Sequence, residues 1–290
     1  MKVSDASLYY RFLSGLDDGR RRLSRAVDQI SDGKRVRTAF DDPAGAHTAL
    51  ALRGRLVQIQ GYDRTAQSAR SDLTTMDAAL NEVGNLLNSA RTEAMAGASG
   101  IAGTTNQARA DKIDSLRQEL LGLANTAQNG RYLFAGTATG TTPFEVDGTY
   151  HGDDAEVAVP VDAQETVPGT LSGNSAFKQG EDIFQVLSDL STALRTNQQT
   201  DVSTTITRLR TAIDDVAQVR GNVGSRINRI DDLVNRHGDE TTRLKTRIGE
   251  IEDVNMDQAV VDLQAAQTSR EALSASAVRV LGRSLFDYLG

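Results

Sequence analysis

The sequence predicts a mainly α protein: an elongated antiparallel coiled-coil or helical-bundle rod with paired terminal helices and a small β insertion domain. Two long seams and one fact of composition carry that prediction. Steps of three and four residues in strict alternation land on Ile206, Leu209, Ile213, Val216, Arg220, Val223, Ile227, Ile230, Val234, His237, Thr241, Leu244, Ile248 and Ile251. Only Arg220, His237 and Thr241 interrupt this apolar stripe. A 3,4 spacing held so long keeps one seam on one side of a helix, because 3.5 residues per turn is what a left-handed supercoil needs to stay in register. The same alternation runs through Ile59, Tyr62, Ala66, Ala69, Leu73, Met76, Leu80, Val83, Leu87, Ala90 and Ala94, which supplies an intramolecular partner. The 290 residues include no Trp and only 4% aromatics, too few of the large side chains that dominate big globular cores.

Each element follows in order. Ala6, Tyr9, Leu13, Leu16, Arg20, Leu23, Val27 and Ile30 mark a first amphipathic helix, with Ser4 or Asp5 as its cap and Gly33 as its stop. Asp42 before Pro43 is an N-cap followed by a proline at the first helical position, where its missing N–H costs nothing. A second helix therefore starts near Pro43 and runs to about Ala96. The small-residue stretch from Gly97 to Gln107 breaks it. Ile113, Leu116, Leu120, Leu123 and Ala127 mark a third helix, returning antiparallel and ended by Asn129 and Gly130. Between Gly130 and Gly180 lie three of the four prolines and short alternating runs, Phe144 to Val146 and Ala155 to Val161, which read as a β insertion of hairpins. Helical spacing resumes at Ile183, Val186, Leu190 and Leu194, pauses from Thr196 to Asp201, and enters the long seam. After a reset at Asp253 to Asp257, Val260, Leu263, Ala266, Leu273, Ala277, Val280, Leu281 and Leu285 form a last helix.

The layout divides into a terminal-helix assembly domain (1–42 and 254–290), a long-helix rod domain (43–130 and 181–253) and a β insertion domain (131–180). Its near-palindromic order brings the two ends together. Isolated amphipathic helices gain most of their stability from packing, so the end helices are expected to become ordered on meeting neighbouring copies. An assembly protein that polymerises through its ends is the function this layout implies.

Composition and motifs exclude other chemistry. The net charge of −7 makes a poor general binder of nucleic acid or anionic membrane. No apolar run approaches the roughly 18 residues of a spanning helix, and residues 1–30 mix Arg with Leu where a signal peptide has its apolar core. Absence of cysteine removes disulfides, thiolate nucleophiles and Cys-ligated zinc. Arg20, Arg21, Arg22 and Arg25 alternate with Asp17, Asp18 and Asp28 and read as a solvated or intersubunit salt-bridge face. His47, His151 and His237 lack metal-ligand spacing. His237 and Thr241 read as polar seam positions that set register. Glu145, Asp147, Asp153 and Asp154 lack a calcium-loop pattern and read as turn acids. The glycines of Gly97 to Gly103 follow a helix and are not spaced as a phosphate cradle. No serine sits in a nucleophile motif, so no enzyme and no cofactor are expected.

Several stretches together resemble the bacterial flagellin-like family. They are the helix Leu8 to Ile30, QISDGKRV (Gln29 to Val36), DDPAGA (Asp41 to Ala46) and the closing DLQAAQTSREALSASAVRVLGRSLFDYLG. Within that family NGRYLFAGT (Asn129 to Thr137), followed by Tyr150, Gly152 and Asp153, resembles the hook-filament junction members more than the filament subunit. The resemblance implies an extracellular structural protein of the bacterial flagellum, exported through the flagellar type III channel without a cleaved signal peptide. It implies a homo-oligomeric ring between an adjacent hook-associated junction protein and flagellin, and an export chaperone on the C-terminal helix, about Val260 to Tyr288. The terminal helices would form the inner tube and the β insertion an outward-facing domain, here a short one. The interface residues expected are Leu13, Leu16, Leu23, Val27 and Ile30 on the first helix and Leu263, Leu273, Val280, Leu281 and Leu285 on the last. Flagellin proper is the alternative within the class. A cytoplasmic coiled-coil signalling module, with stable ends, is the alternative outside it.

Overall fold

The computed structural model describes the backbone of residues 2–99 and 104–289 and the side chains of residues 10, 11, 13–99 and 105–276. Seven helices are described: α1 (Lys2–Asp32), α2 (Pro43–Ala98), α3 (Thr104–Ala124), α4 (Gly173–Phe177), α5 (Ile183–Arg195), α6 (Gln199–Glu252) and α7 (Met256–Leu289). Four short strands, β1 (Ala127–Gln128), β2 (Arg131–Tyr132), β3 (Ala158–Asp162) and β4 (Glu165–Pro168), lie between α3 and α4. The chain forms two compact units, residues 1–57 with 240–290, and residues 58–239.

The second unit holds the main core. Every α2 seam position from Ala66 to Ala94 is fully or almost fully buried, as the alternation predicts. The α6 seam is displaced. Leu209, Val216, Val223 and Ile230 are buried, and their inward companions are Ala212, Val219 and Leu233. Ile206, Ile213, Ile227 and Val234 lie half-buried on the flank. A helix that packs on several neighbours buries a wider face than a two-stranded seam does. α2 and α6 run antiparallel here: Asp77 pairs with Arg220 at 3.0 Å, Arg70 with Asp231 at 2.5 Å, and Asp63 with His237 at 2.7 Å. His237 is buried at a seam position, as expected of a register-setting polar residue. Glu93 of α2 takes Arg109 and Lys112 of α3 at 2.7 and 2.6 Å, which fixes α3 as the antiparallel return.

Three boundaries differ from the sequence reading. α1 already runs from Lys2, so Ser4 and Asp5 lie inside it and do not cap it. α3 starts at Thr104, within the expected break, of which residues 100–103 lie outside the described residues. It ends at Ala124, because the Asn125 side chain turns to bond the backbone of Phe144 at 2.9 and 3.0 Å. Asn129 and Gly130, at φ 53° and 75°, form instead the two-residue turn between β1 and β2.

The β insertion is a pair of two-stranded antiparallel sheets around an aromatic cluster. β3 pairs with β4 from Ala158↔Pro168 to Asp162↔Glu165, with a bulge between Pro160 and Asp162. Phe134, Phe144, Phe177 and Phe184 stack edge-on or tilted at 5.0 to 6.4 Å. The Tyr150 hydroxyl donates to the Asp153 carbonyl at 2.8 Å and accepts from the Gly173 N–H at 3.1 Å. A side chain at Gly136, itself at φ 67°, would collide with Asp153. These contacts bring Gly136, Tyr150 and Asp153, separate in the sequence, into one turn structure. The turn acids are as expected: Asp147 and Asp153 accept backbone N–H groups of Thr149 and Thr137, each at 2.8 Å.

Candidate assembly surface

The first unit is built on α1 packed against α7. Among the residues whose side chains are described, the fully buried ones of the two helices are small. Gly19 and Ala26 of α1, seven apart, are buried, as are Ala259 and Ala266 of α7, also seven apart. Leu273, another seven residues on, rests over a notch in α1, where a Cβ at Gly15 or Gly19 would stand 3.8 and 3.9 Å from its methyl groups. Small side chains let two helix backbones approach closely, and the larger apolar residues of the same helices are covered to different extents.

Those larger residues are where the interface was expected. Leu13 is 45% exposed and Val27 49%. Leu16, Leu23, Ile30, Leu263 and Leu273 are half-buried, with Leu273 turned to the α1 notch. Val280, Leu281 and Leu285 lie outside the residues whose side chains are described. Sequence reasoning missed Tyr10, 72% exposed, and Val261, 57% exposed. It placed Ala266 and Leu273 on the seam of the last helix but did not name Gly19, Ala26 or Ala259. Arg20, Arg21, Arg22 and Arg25 form an exposed face, with Arg21 paired to Asp17.

A clasp joins the two links of this unit, and no local signal announced it. Lys34 and Asp253 form an antiparallel bridge between the α1–α2 link and the α6–α7 link. The backbone N–H groups of Arg35 and Val36 donate to the Glu252 carbonyl at 2.6 and 3.2 Å, and Val254 N–H donates to the Gly33 carbonyl at 2.9 Å. The Glu252 carboxylate is buried and takes Arg53 at 2.6 Å and Lys34 at 3.6 Å. The hydrogen bond to Asp253 raises the Lys34 ammonium above its usual range, with Glu252 adding to it. Asp42 caps α2 by accepting the Gly45 N–H at 2.8 Å, which holds its carboxyl below the usual range. Among the described residues the surface therefore offers packing and fixed ion pairs.

Comparison with known proteins agrees with this layout. The bacterial flagellin N-terminal helical region matches residues 3–139, and the bacterial flagellin C-terminal helical region matches residues 195–289. Flagellar hook-associated protein 3 of Salmonella typhimurium is 24% identical over 313 residues, covering 99% of this chain and 99% of its own length. A flagellin of Clostridium tyrobutyricum is 29% identical over 130 residues, covering 44% of this chain and 34% of its own. Among solved structures, a flagellar hook-associated protein from Vibrio parahaemolyticus superposes with a TM-score of 0.67 at 20% identity, covering 73% of this chain and 100% of that one.

Proposed function

The chain belongs to the bacterial flagellin family, and from that premise we infer that it is a structural component of the flagellum, the hook-filament junction adaptor. The observation that carries the choice within the family is coverage. Likeness to hook-associated protein 3 runs from end to end of both chains, whereas the flagellin of Clostridium tyrobutyricum matches 44% of this one. The helical fold with a small β insertion is shared with solved hook-associated proteins.

In this reading the protein works by packing and catalyses nothing. Subunits join into a ring between an adjacent hook-associated protein and flagellin, outside the cell. Leu13, Leu16, Leu23, Val27 and Ile30 of α1 meet Leu263, Val280, Leu281 and Leu285 of neighbouring copies, while Leu273 serves the pairing inside each copy. Support comes from α1: Gly15 and Gly19 receive Leu273 of α7, while Leu13 and Val27 keep 45% and 49% of their surface exposed. Burial of that apolar surface, at roughly 25 cal/mol per Å2, drives association. The three-part division at residues 42, 130, 180 and 253 assigns assembly to the end helices, spacing to the long helices and surface display to the β insertion. An export chaperone covers about Val260 to Tyr288 before assembly, and export through the flagellar channel uses no cleaved signal peptide.

Electron microscopy of a tagged copy on detached hooks tests the reading. Label at the distal hook tip is expected. Label along filaments would make the protein a flagellin, and label retained in the cytosol would favour a signalling module. Removal of residues 254–290 should abolish motility; a motile deletion strain would refute the role given to α7.

A further inference from the structure

We propose that His237 is a proton-operated latch that ties the tip of the β3–β4 hairpin to the paired helices α2 and α6. Of the three histidines, His47 and His151 are exposed, whereas His237 of α6 is buried. Its Nδ1 lies 2.7 Å from Oδ1 of Asp63 on α2. A carboxylate accepts, so Nδ1 is the nitrogen that carries a hydrogen. Nε2 lies 3.9 Å from Oδ2 of Asp162, the last residue of β3, and is buried without a hydrogen-bond partner. In the neutral ring Nε2 is a lone pair set beside an anion, acceptor against acceptor. In the imidazolium it is an N–H beside the same anion, and both nitrogens donate.

Burial by itself disfavours a charged ring. Two carboxylates flanking it act the other way, because a neutral ring leaves them as like charges with no cation between. The other neighbours do not take that place. Tyr62 of α2 stands 6.5 Å from the imidazole, centroid to centroid, and Arg229 and Arg236 of α6 are taken by Glu165 of β4 at 2.8 and 3.5 Å. Asp162 passes the effect to the hairpin. Its Oδ1 accepts the Ala163 N–H at 2.6 Å, so the carboxylate is fixed to the turn between β3 and β4. Val161 and Val167 anchor the strands in the core, while the tip meets the helices through polar contacts: Glu165 with the two arginines, and the Thr65 hydroxyl on the Pro160 carbonyl at 2.8 Å. An Nε2–H directed at Asp162 adds to this set. Docking of the tip therefore takes up a proton; it is favoured as pH falls through the ordinary imidazole range, about 6.5, and weakened as pH rises through it. The latch lies within the second unit and is independent of the assembly reading.

Hydrogen exchange of the full-length chain at about pH 5.5 and about pH 8 tests the latch. Rates are corrected for the intrinsic pH dependence of exchange and referred to the α2 amides from Leu73 to Leu87. In the parent, hairpin amides between Val159 and Val167 should be about fivefold or more better protected at the lower pH. Asp162→Asn keeps an oxygen for the Ala163 N–H and offers an amide N–H to the lone pair of the neutral ring, so its hairpin should stay protected at both pH values. His237→Gln does not titrate and should lose the difference. Thermal melts verify that the helices of each variant remain folded, and if His237→Gln does not fold, the parent and Asp162→Asn decide. Equal hairpin protection in the parent at the two pH values would overturn the latch. A pH difference as large as the parent's in Asp162→Asn, or in folded His237→Gln, would overturn it as well, since the proton would then bind elsewhere.

Discussion

Truncating Leu13 and Val27 together to Ala separates what α1 does inside one copy from what it does between copies. The two substitutions remove five side-chain carbons, worth about 0.8 kcal/mol each when fully buried. Close to half of each side chain is exposed in the single chain, 45% for Leu13 and 49% for Val27. Covering that half in the assembly contributes about 2 kcal/mol per subunit, so the double variant should bind hooks roughly 30-fold more weakly. The half already covered within the chain is lost as well, but Ala is the best helix former and returns about 0.5–1 kcal/mol over Leu and Val in a helix. The free chain should therefore melt within a few degrees of the parent. Ala26→Leu is the opposite case. Ala26 is buried in the seam, and overpacking there should cost about 1–3 kcal/mol in the free chain. Circular dichroism melts of the free chains and sedimentation with detached hooks measure the two effects separately. Retention of the Leu13/Val27 double variant within threefold of the parent would show that the exposed faces stay exposed in the assembly and would defeat the argument.

The clasp and the end helices give three further outcomes. Glu252→Gln leaves Arg53 and Lys34 facing a neutral amide at a buried site; because both cations are partly solvated, a loss of about 1–2 kcal/mol is expected, read by urea unfolding. Asp41 and Asp42 have carboxyl pKa values lowered in the folded chain, mainly by backbone N–H donors, so their contribution is complete above the ordinary carboxylate range and is lost as pH falls through the lowered values. Asp42→Asn keeps a competent cap but does not titrate; it should flatten the acid limb of the stability curve below about pH 4, and an unchanged limb would assign that limb to other groups. Finally, backbone amides of α1 and α7 should exchange hydrogen faster in the free chain than in the assembled one, and equal protection in both states would remove the ordering step.

The sequence declares helices well because local periodicity and stop signals are local physics. The α2 stripe from Ala66 to Ala94 is buried at each seam position read from it, and the Asp42–Pro43 start is the true N-terminus of α2. The α6 stripe was legible only to within one position. Two alternations share Leu209, Val216, Val223 and Ile230; one adds isoleucines, the other Ala212, Val219 and Leu233. Hydrophobicity favours the first, and packing against more than one neighbour selects the second. Asn129–Gly130 was readable as a positive-φ pair, but a helix stop and a hairpin turn use the same residues. What distinguishes them is the Asn125 to Phe144 contact, made by a side chain whose partner lies on another segment. The clasp was beyond reach for the same reason, since Lys34 and Asp253 are 219 residues apart.

The end helices show why size alone misleads in choosing an interface. Ranking residues by apolar bulk selects Leu13, Val27 and Leu263, and within a single chain such bulk would be expected to face inward. Here Gly19, Ala26, Ala259 and Ala266 are buried, Leu16, Leu23, Ile30 and Leu263 are half-buried, and Leu13 and Val27 keep close to half of their surface exposed. Methyl groups bury little area, whereas fixing a backbone residue costs about 1–2 kcal/mol. A chain arranged this way leaves apolar surface on Leu13 and Val27 for a partner to cover. In the proposed assembly, covering Leu13 and Val27 adds stability to end helices that a single copy already forms.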